Sequence, residues 1–156
     1  MEKDLAQVEA SIQALIDANE HLSQLFREIT SVPDIGKVKG TEMLITTNEF
    51  KDFSSAKQYA CDGGIVPFEH TSGSNIRGKS RLSHKANKVV KKLLHLAAMS
   101  AIRVKGKFRD YYLRKVADGK NKMSVLNAVR NKRVYVGFAL VQKHQKYDEK
   151  YNTSLA

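Results

Sequence analysis

Ser72 is the side chain with the most chemistry to offer. It lies in the stretch from Gly63 to Ala98, GGIVPFEHTSGSNIRGKSRLSHKANKVVKKLLHLAA, between Thr71 and Gly73-Ser74. Seven cations follow within that stretch: Arg77, Lys79, Arg81, Lys85, Lys88, Lys91 and Lys92. A serine hydroxyl is a weak nucleophile at neutral pH and needs a base, a metal or a cation field to attack. Charge developing on a phosphorus centre needs Arg or Lys nearby. Small residues let a backbone approach a ligand closely, and clustered cations collect phosphates. The same hydroxyl could equally cap a turn, because Ser-Gly is a common pair. Local residues leave both roles open.

Other chemistry has less support. His21, His70, His84, His95 and His144 are scattered, with neither an HExxH pair nor zinc-ligand spacing. The acids sit mostly in the first seventy residues, so no paired-carboxylate magnesium site is expected within the chain, and no metal site is assigned. Cys61, the single cysteine, precedes a turn without a nearby base and reads as a packed core thiol. Tyr111 and Tyr112 share helical spacing with Phe108 and Leu113, so at least one of them is core.

Composition narrows the partner. The chain has 156 residues with 42% hydrophobic content, enough for one domain plus an extension. One cysteine excludes a disulfide framework and fits a cytoplasmic protein. No apolar run approaches a membrane span, and no signal-peptide pattern is present. The net charge of +11 conceals a division. Residues 1–70 hold 6 Lys/Arg against 12 Asp/Glu, a net of −6, whereas residues 71–156 hold 21 against 4, a net of +17. Such asymmetry points one half at a polyanion. The basic helices lack the Trp/Phe-rich face of a membrane-surface helix, which favours nucleic acid.

The elements that must position these residues are mainly α-helical. Residues 3–30 carry a heptad, with Leu5, Ile12, Asn19 and Phe26 at a and Val8, Leu15, Leu22 and Ile29 at d. With no Gly or Pro inside, this pattern predicts one helix of nearly four heptads, a coiled coil that dimerises or meets another helix, with Asn19 fixing register. An amphipathic helix packed on its own domain is the alternative. The run Ser31 to Gly40, SVPDIGKVKG, followed by TEMLI, has the form of a helix-hairpin-helix element, in which N–H groups at the second helix bind a phosphate. Lys37 and Lys39 would face that phosphate. A short helix is predicted within 50–64 with Ser54 as N-cap and Ala56, Tyr59 and Ala60 buried, then a loop or small hairpin over 69–82. A long helix is predicted from Ser83 to about Arg103, with Lys85, Lys88, Lys92 and His95 sharing a face. Further helices are predicted over 107–117 and from Met123 to about Lys143. The predicted domains are therefore a coiled-coil helix (1–31), a compact helical domain containing the hairpin and the Gly/Ser-rich loop (32–147), and a tail (148–156).

The order of motifs resembles the C-terminal domain of the insertion-sequence transposases of the one-ten family, serine-using recombinases guided by a bridge RNA. The resemblance runs from Val32 to about Val141. It rests on Pro33-Asp34-Ile35-Gly36, Phe53-Ser54-Ser55-Ala56-Lys57-Gln58, Gly64-Ile65-Val66-Pro67, Ser72-Gly73, Arg77-Gly78, Leu82 to Asn87, Leu93 to Ala98, Tyr112 and Gly119-Lys120. Asp34 replaces a hairpin glycine of the family pattern, and Ala86 replaces the glycine before Asn87.

The resemblance implies that Ser72 is a nucleophile joined covalently to DNA, and that a coiled coil links this domain to an acidic RuvC-like domain. That domain would hold Mg2+ in the full-length enzyme; its absence here makes the chain read as a fragment that is inactive alone. The expected partners are DNA, a guide (bridge) RNA and a second copy of the chain. Arg77, Lys79 and Arg81 would clamp phosphate, and Lys85, Lys88 and Lys92 would track the backbone. Two other readings remain: a non-catalytic helix-hairpin-helix binding module, and a coiled-coil assembly protein whose basic half docks on RNA.

Overall fold

The computed structural model describes residues 1–66, 71–72, 76–77 and 86–148, with backbone alone at 71–72 and 76–77. Among these, the chain is mainly α-helical. Seven helices run in order: α1 (Glu2–Ala18), α2 (Glu20–Thr30), α3 (Lys37–Thr46), α4 (Ala56–Asp62), α5 (Lys88–Ala101), α6 (Lys107–Ala117) and α7 (Lys122–Lys143). Between α4 and α5 lies a two-residue antiparallel ribbon, β1 (Thr71–Ser72) with β2 (Ile76–Arg77).

The centre is α7, which packs against α2, α4, α5 and α6. Val125, Leu126, Val129, Val134, Val136, Phe138, Leu140 and Val141 are buried along it, so apolar residues ring the helix and leave no single wet face. Leu25, Phe26, Ile29, Val32, Ile35, Met43, Tyr59, Val90 and Leu94 close around it. Phe50 and Tyr59 stack on Phe138, the first edge-on with ring centroids 4.8 Å apart. The Tyr59 hydroxyl pairs with Thr46 Oγ1 at 2.8 Å, and burial pushes its pKa up to about 12.

The predicted single helix over residues 3–30 is broken. Asn19 is extended (φ −115°, ψ 115°), and its side-chain oxygen accepts the Leu22 N–H, capping α2. Asparagine serves caps well because its side chain satisfies an orphan N–H of the first turn. The proposed seam divides at that point. Phe26 and Ile29 are buried in the chain's own core, with Leu22 packed against it. Leu5, Val8 and Leu15 remain 61%, 55% and 71% exposed.

Two further starts differ from expectation. Helix α4 begins after Ser55, whose hydroxyl accepts the Gln58 N–H at 3.3 Å, while Ser54 donates its own N–H and hydroxyl to Gln58 Oε1. Helix α5 begins at Lys88 and not near Ser83, because Asn87 Oδ1 accepts from the N–H groups of Val89 and Val90. Ser83 itself lies outside the described residues. The helix over 107–117 stands where the spacing puts it, and α7 starts at Lys122, one residue before the expected Met123.

After α3 the backbone passes through three consecutive left-handed residues, Asn48 (φ 48°), Glu49 (φ 58°) and Phe50 (φ 62°). Each non-glycine residue there costs about 1–2 kcal/mol. Buried Thr47 offsets part of this by accepting the Phe50 N–H, and the partly buried Phe50 ring packs edge-on against Phe138.

Candidate nucleic-acid interface

The hairpin joining α2 to α3 is built from both sides. Gly40 lets the helices cross closely, since a Cβ there would meet Thr30 Cγ2 at 2.7 Å. Ser31 donates its hydroxyl to Glu28 O and accepts the Tyr147 N–H at 2.7 Å, tying the segment after α7 to the hairpin. Asp34 is left-handed (φ 66°). The family's usual glycine at this point is therefore replaced by one of the few other residues that tolerate the conformation. Gly36 then caps α3 without any side-chain hydrogen bond, and a Cβ added there would meet nothing within 4 Å. The start of α3 thus has no side chain over Gly36, and exposed Lys37 stands beside it.

Lys39 plays a different part. Its ammonium donates to Asp34 O at 2.9 Å, and burial, then the nearby Arg133 charge, lower its pKa. The residue beneath the hairpin is Arg133, which the sequence reading did not single out. It is 1% exposed on α7, donates to Pro33 O, and holds Nη1 3.8 Å from Asp34 Oδ2. Its guanidinium lies 5.2 Å from the Phe108 ring centre. Burial lowers its pKa to about 10. Arg133 follows Arg130-Asn131-Lys132 in the sequence, so nothing local marks it as buried.

Ser72 occupies the ribbon. The register pairs Thr71 with Arg77 and Ser72 with Ile76, so the backbones of Ser72 and Arg77 lie on neighbouring strands, one position out of register. The chain around this excursion is pinned at its base. The Asn87 N–H donates to Asp62 O at 3.0 Å, and a Cβ on Gly64 (φ 63°) would come within 2.6 Å of the Ala86 Cβ. The departure at Ala86 is accommodated by the missing side chain at Gly64. Lys79, Arg81 and Lys85 lie outside the described residues.

On α5, Lys88 and Lys92 are exposed. His95 sits between their face and the core, its Nδ1 hydrogen-bonded to Arg130 Nη2. Burial, then the Arg130 charge, lower the His95 pKa. On the other side of the hairpin an open groove of ≈ 940 Å³ separates α1 from α3, lined by Leu5, Val8, Ile12, Val38 and Ile45 among others. Cys61 is buried, as a core thiol would be. Among the described residues no three His, Cys, Asp or Glu side chains cluster to hold a metal. Among the same residues no helix is long and apolar enough to cross a membrane.

Comparison with known proteins identifies this arrangement. The family described as Transposase IS116/IS110/IS902 matches residues 26–113, more than half of the chain and a span that includes the hairpin, the ribbon and α5. The chain is 23% identical over 147 residues to a pilin gene-inverting protein of Moraxella bovis, covering 94% of this chain and 46% of that protein. It is 27% identical over 143 residues to the insertion element IS110 43.6 kDa protein of Streptomyces coelicolor, covering 92% and 34%. It is also 29% identical over 129 residues to the insertion element IS900 42 kDa protein of Mycobacterium paratuberculosis, covering 82% and 32%. The chain therefore spans less than half the length of each of these curated relatives. It belongs to the IS116/IS110/IS902 family of insertion-sequence transposases.

Proposed function

We propose that the chain binds DNA and supplies a serine nucleophile for strand cleavage and joining during transposition. Ser72 Oγ forms a bond to phosphorus as a P–O bond of the strand breaks; the serine gives up its proton and the leaving oxygen gains one. Arg77, Lys79 and Arg81 offset the charge that develops at phosphorus. Lys37 and the open N–H groups of α3 hold a neighbouring phosphate, and Lys88 and Lys92 follow the backbone.

The observation that carries the reading lies at the helix starts. Helices α3, α5, α6 and α7 each open on a lysine: Lys37, Lys88, Lys107 and Lys122. In α3, α5 and α7 no acid stands in the first turn. A helix N-terminus already carries partial positive charge, so lysine there is unfavourable in isolation. A phosphate turns that conflict into attraction. The family and the +17 charge of residues 71–156 support DNA as the polyanion. Guide RNA is proposed as a second nucleic-acid partner. A second copy would meet the exposed Leu5, Val8 and Leu15 of α1. Any Mg2+ would be held by carboxylates outside this chain.

The test is Ser72→Ala in a transposition-competent protein containing this domain. Covalent protein–DNA adducts should vanish while DNA affinity stays within about twofold, since one hydroxyl contributes little to a phosphate-dominated interface. Adducts that survive would rule out Ser72. The competing reading, a non-catalytic hairpin module, draws on the open start of α3. It requires that Lys37→Glu abolish binding while Lys88→Glu with Lys92→Glu leaves it intact.

A further inference from the structure

We propose that Arg133 is the positioning residue of the hairpin's phosphate site, a role that rests on the hairpin binding DNA as argued above. It reaches the hairpin from the interior. From α7 its fork donates to Pro33 O and faces the Asp34 carboxylate, while Lys39 donates to Asp34 O from the outer side. The two peptides that flank the Asp34 Cα are therefore each held by a cation, Arg133 on Pro33 O and Lys39 on Asp34 O. That grip sets the left-handed turn at Asp34, and with it the direction in which Ile35-Gly36 feeds the first N–H groups of α3.

Stability alone gives no reason for this arrangement. Arg133 is nearly inaccessible, and its Nε and Nη1 have no hydrogen-bond partner among the described residues. Taking a guanidinium out of water is expensive, and an apolar side chain of similar volume is often as stable or more so. The Asp34 contact at 3.8 Å is long for a charge-assisted hydrogen bond. Phe108 covers the guanidinium face, keeping water from completing its shell.

The charge also matters where it sits. Arg133 and Lys39 meet at Asp34, the one facing its carboxylate and the other engaged with its backbone carbonyl, and exposed Lys37 opens the helix that follows. The hairpin therefore remains under-neutralised, and the buried cation adds to the field at the α3 start. Its fixed position costs no reorganisation when an anion arrives.

The experiment measures binding of the 156-residue chain to a fluorescent DNA duplex at several salt concentrations, beside thermal unfolding. Arg133→Met should keep the unfolding midpoint within a few degrees or raise it, because the buried charge is replaced by a similar volume. Its DNA affinity should fall about tenfold and its salt slope flatten by roughly one, the signature of one lost phosphate contact. A purely structural role would lower both midpoint and affinity, or neither. Arg133→Lys keeps a charge but cannot span Pro33 O and Asp34 together, so affinity should stay at least threefold weak and the salt slope reduced. A folded Arg133→Met with wild-type affinity and slope overturns the proposal. If that variant does not fold, Arg133→Lys decides instead, and wild-type affinity in it has the same force. Lys37→Glu separates the two levels. Loss of binding there with none in the Arg133 variants removes only the positioning role; no loss in Lys37→Glu removes the hairpin as the DNA site and the positioning role with it.

Discussion

At the scale of single residues, the arrangement is governed by polar side chains placed where apolar ones would be simpler. His95 is an example. It accepts a hydrogen bond from Arg130 only while its Nδ1 is unprotonated, and both burial and the arginine charge lower its pKa from 6.5. The unfolded chain therefore takes up a proton first as the pH falls. The stabilisation from His95 is full above pH 6.5 and is lost as the pH drops from there towards the depressed folded-state value. His95→Gln keeps an acceptor but does not titrate. The stability gap between wild type and this variant should narrow between pH 7.5 and 5, as read by thermal melts. A gap that stays constant would mean that the Arg130 contact does not depend on protonation.

At the scale of elements, caps decide what periodicity cannot. The heptad over residues 3–30 is genuine as a pattern, yet its a-position Asn19 caps α2 in place of fixing a coil register. The consequence is measurable. In a coiled coil, Asn19→Leu would remove a polar defect and raise stability. As a cap replacement it should lower stability by about 1 kcal/mol, read by denaturant unfolding. The same physics explains what was legible. Helices α6 and α7 follow from spacing, and in the fold Asn121 caps α7 by accepting the Met123 and Ser124 N–H groups. The start of α5 was misplaced because Ser83 and Asn87 both suit a cap, and only tertiary contact, the Asn87 N–H to Asp62 O bond, selects between them. The left-handed run at 48–50 contains no glycine and could not be read at all; Phe138, far along the chain, stabilises it through Phe50. Of the proposed site, Ser72, Lys37, Lys88 and Lys92 are the residues that residue type alone suggests. Arg133 is not among them, since a buried cation looks like any surface one until its surroundings are known.

At the scale of the whole molecule, charge and packing are segregated. The acidic first seventy residues include α1 to α4, and the basic remainder carries α5 to α7, with Lys37 and Lys39 as the basic outpost of the acidic part. Binding to duplex DNA should accordingly fall steeply with salt, by more than tenfold between 50 and 200 mM if several phosphates are engaged. A flat response in a binding titration would exclude a backbone-tracking surface. Packing has a consequence of another kind, for synthesis. The helix against which α2, α4, α5 and α6 all lie is α7, translated after every one of them. At about 5–20 residues per second, α2 leaves the ribosome several seconds or more before its packing surface exists. Until then Leu25, Phe26 and Ile29 have α1 and α3 beside them but no α7 to rest on, so the nascent chain carries apolar surface that chaperones would recognise.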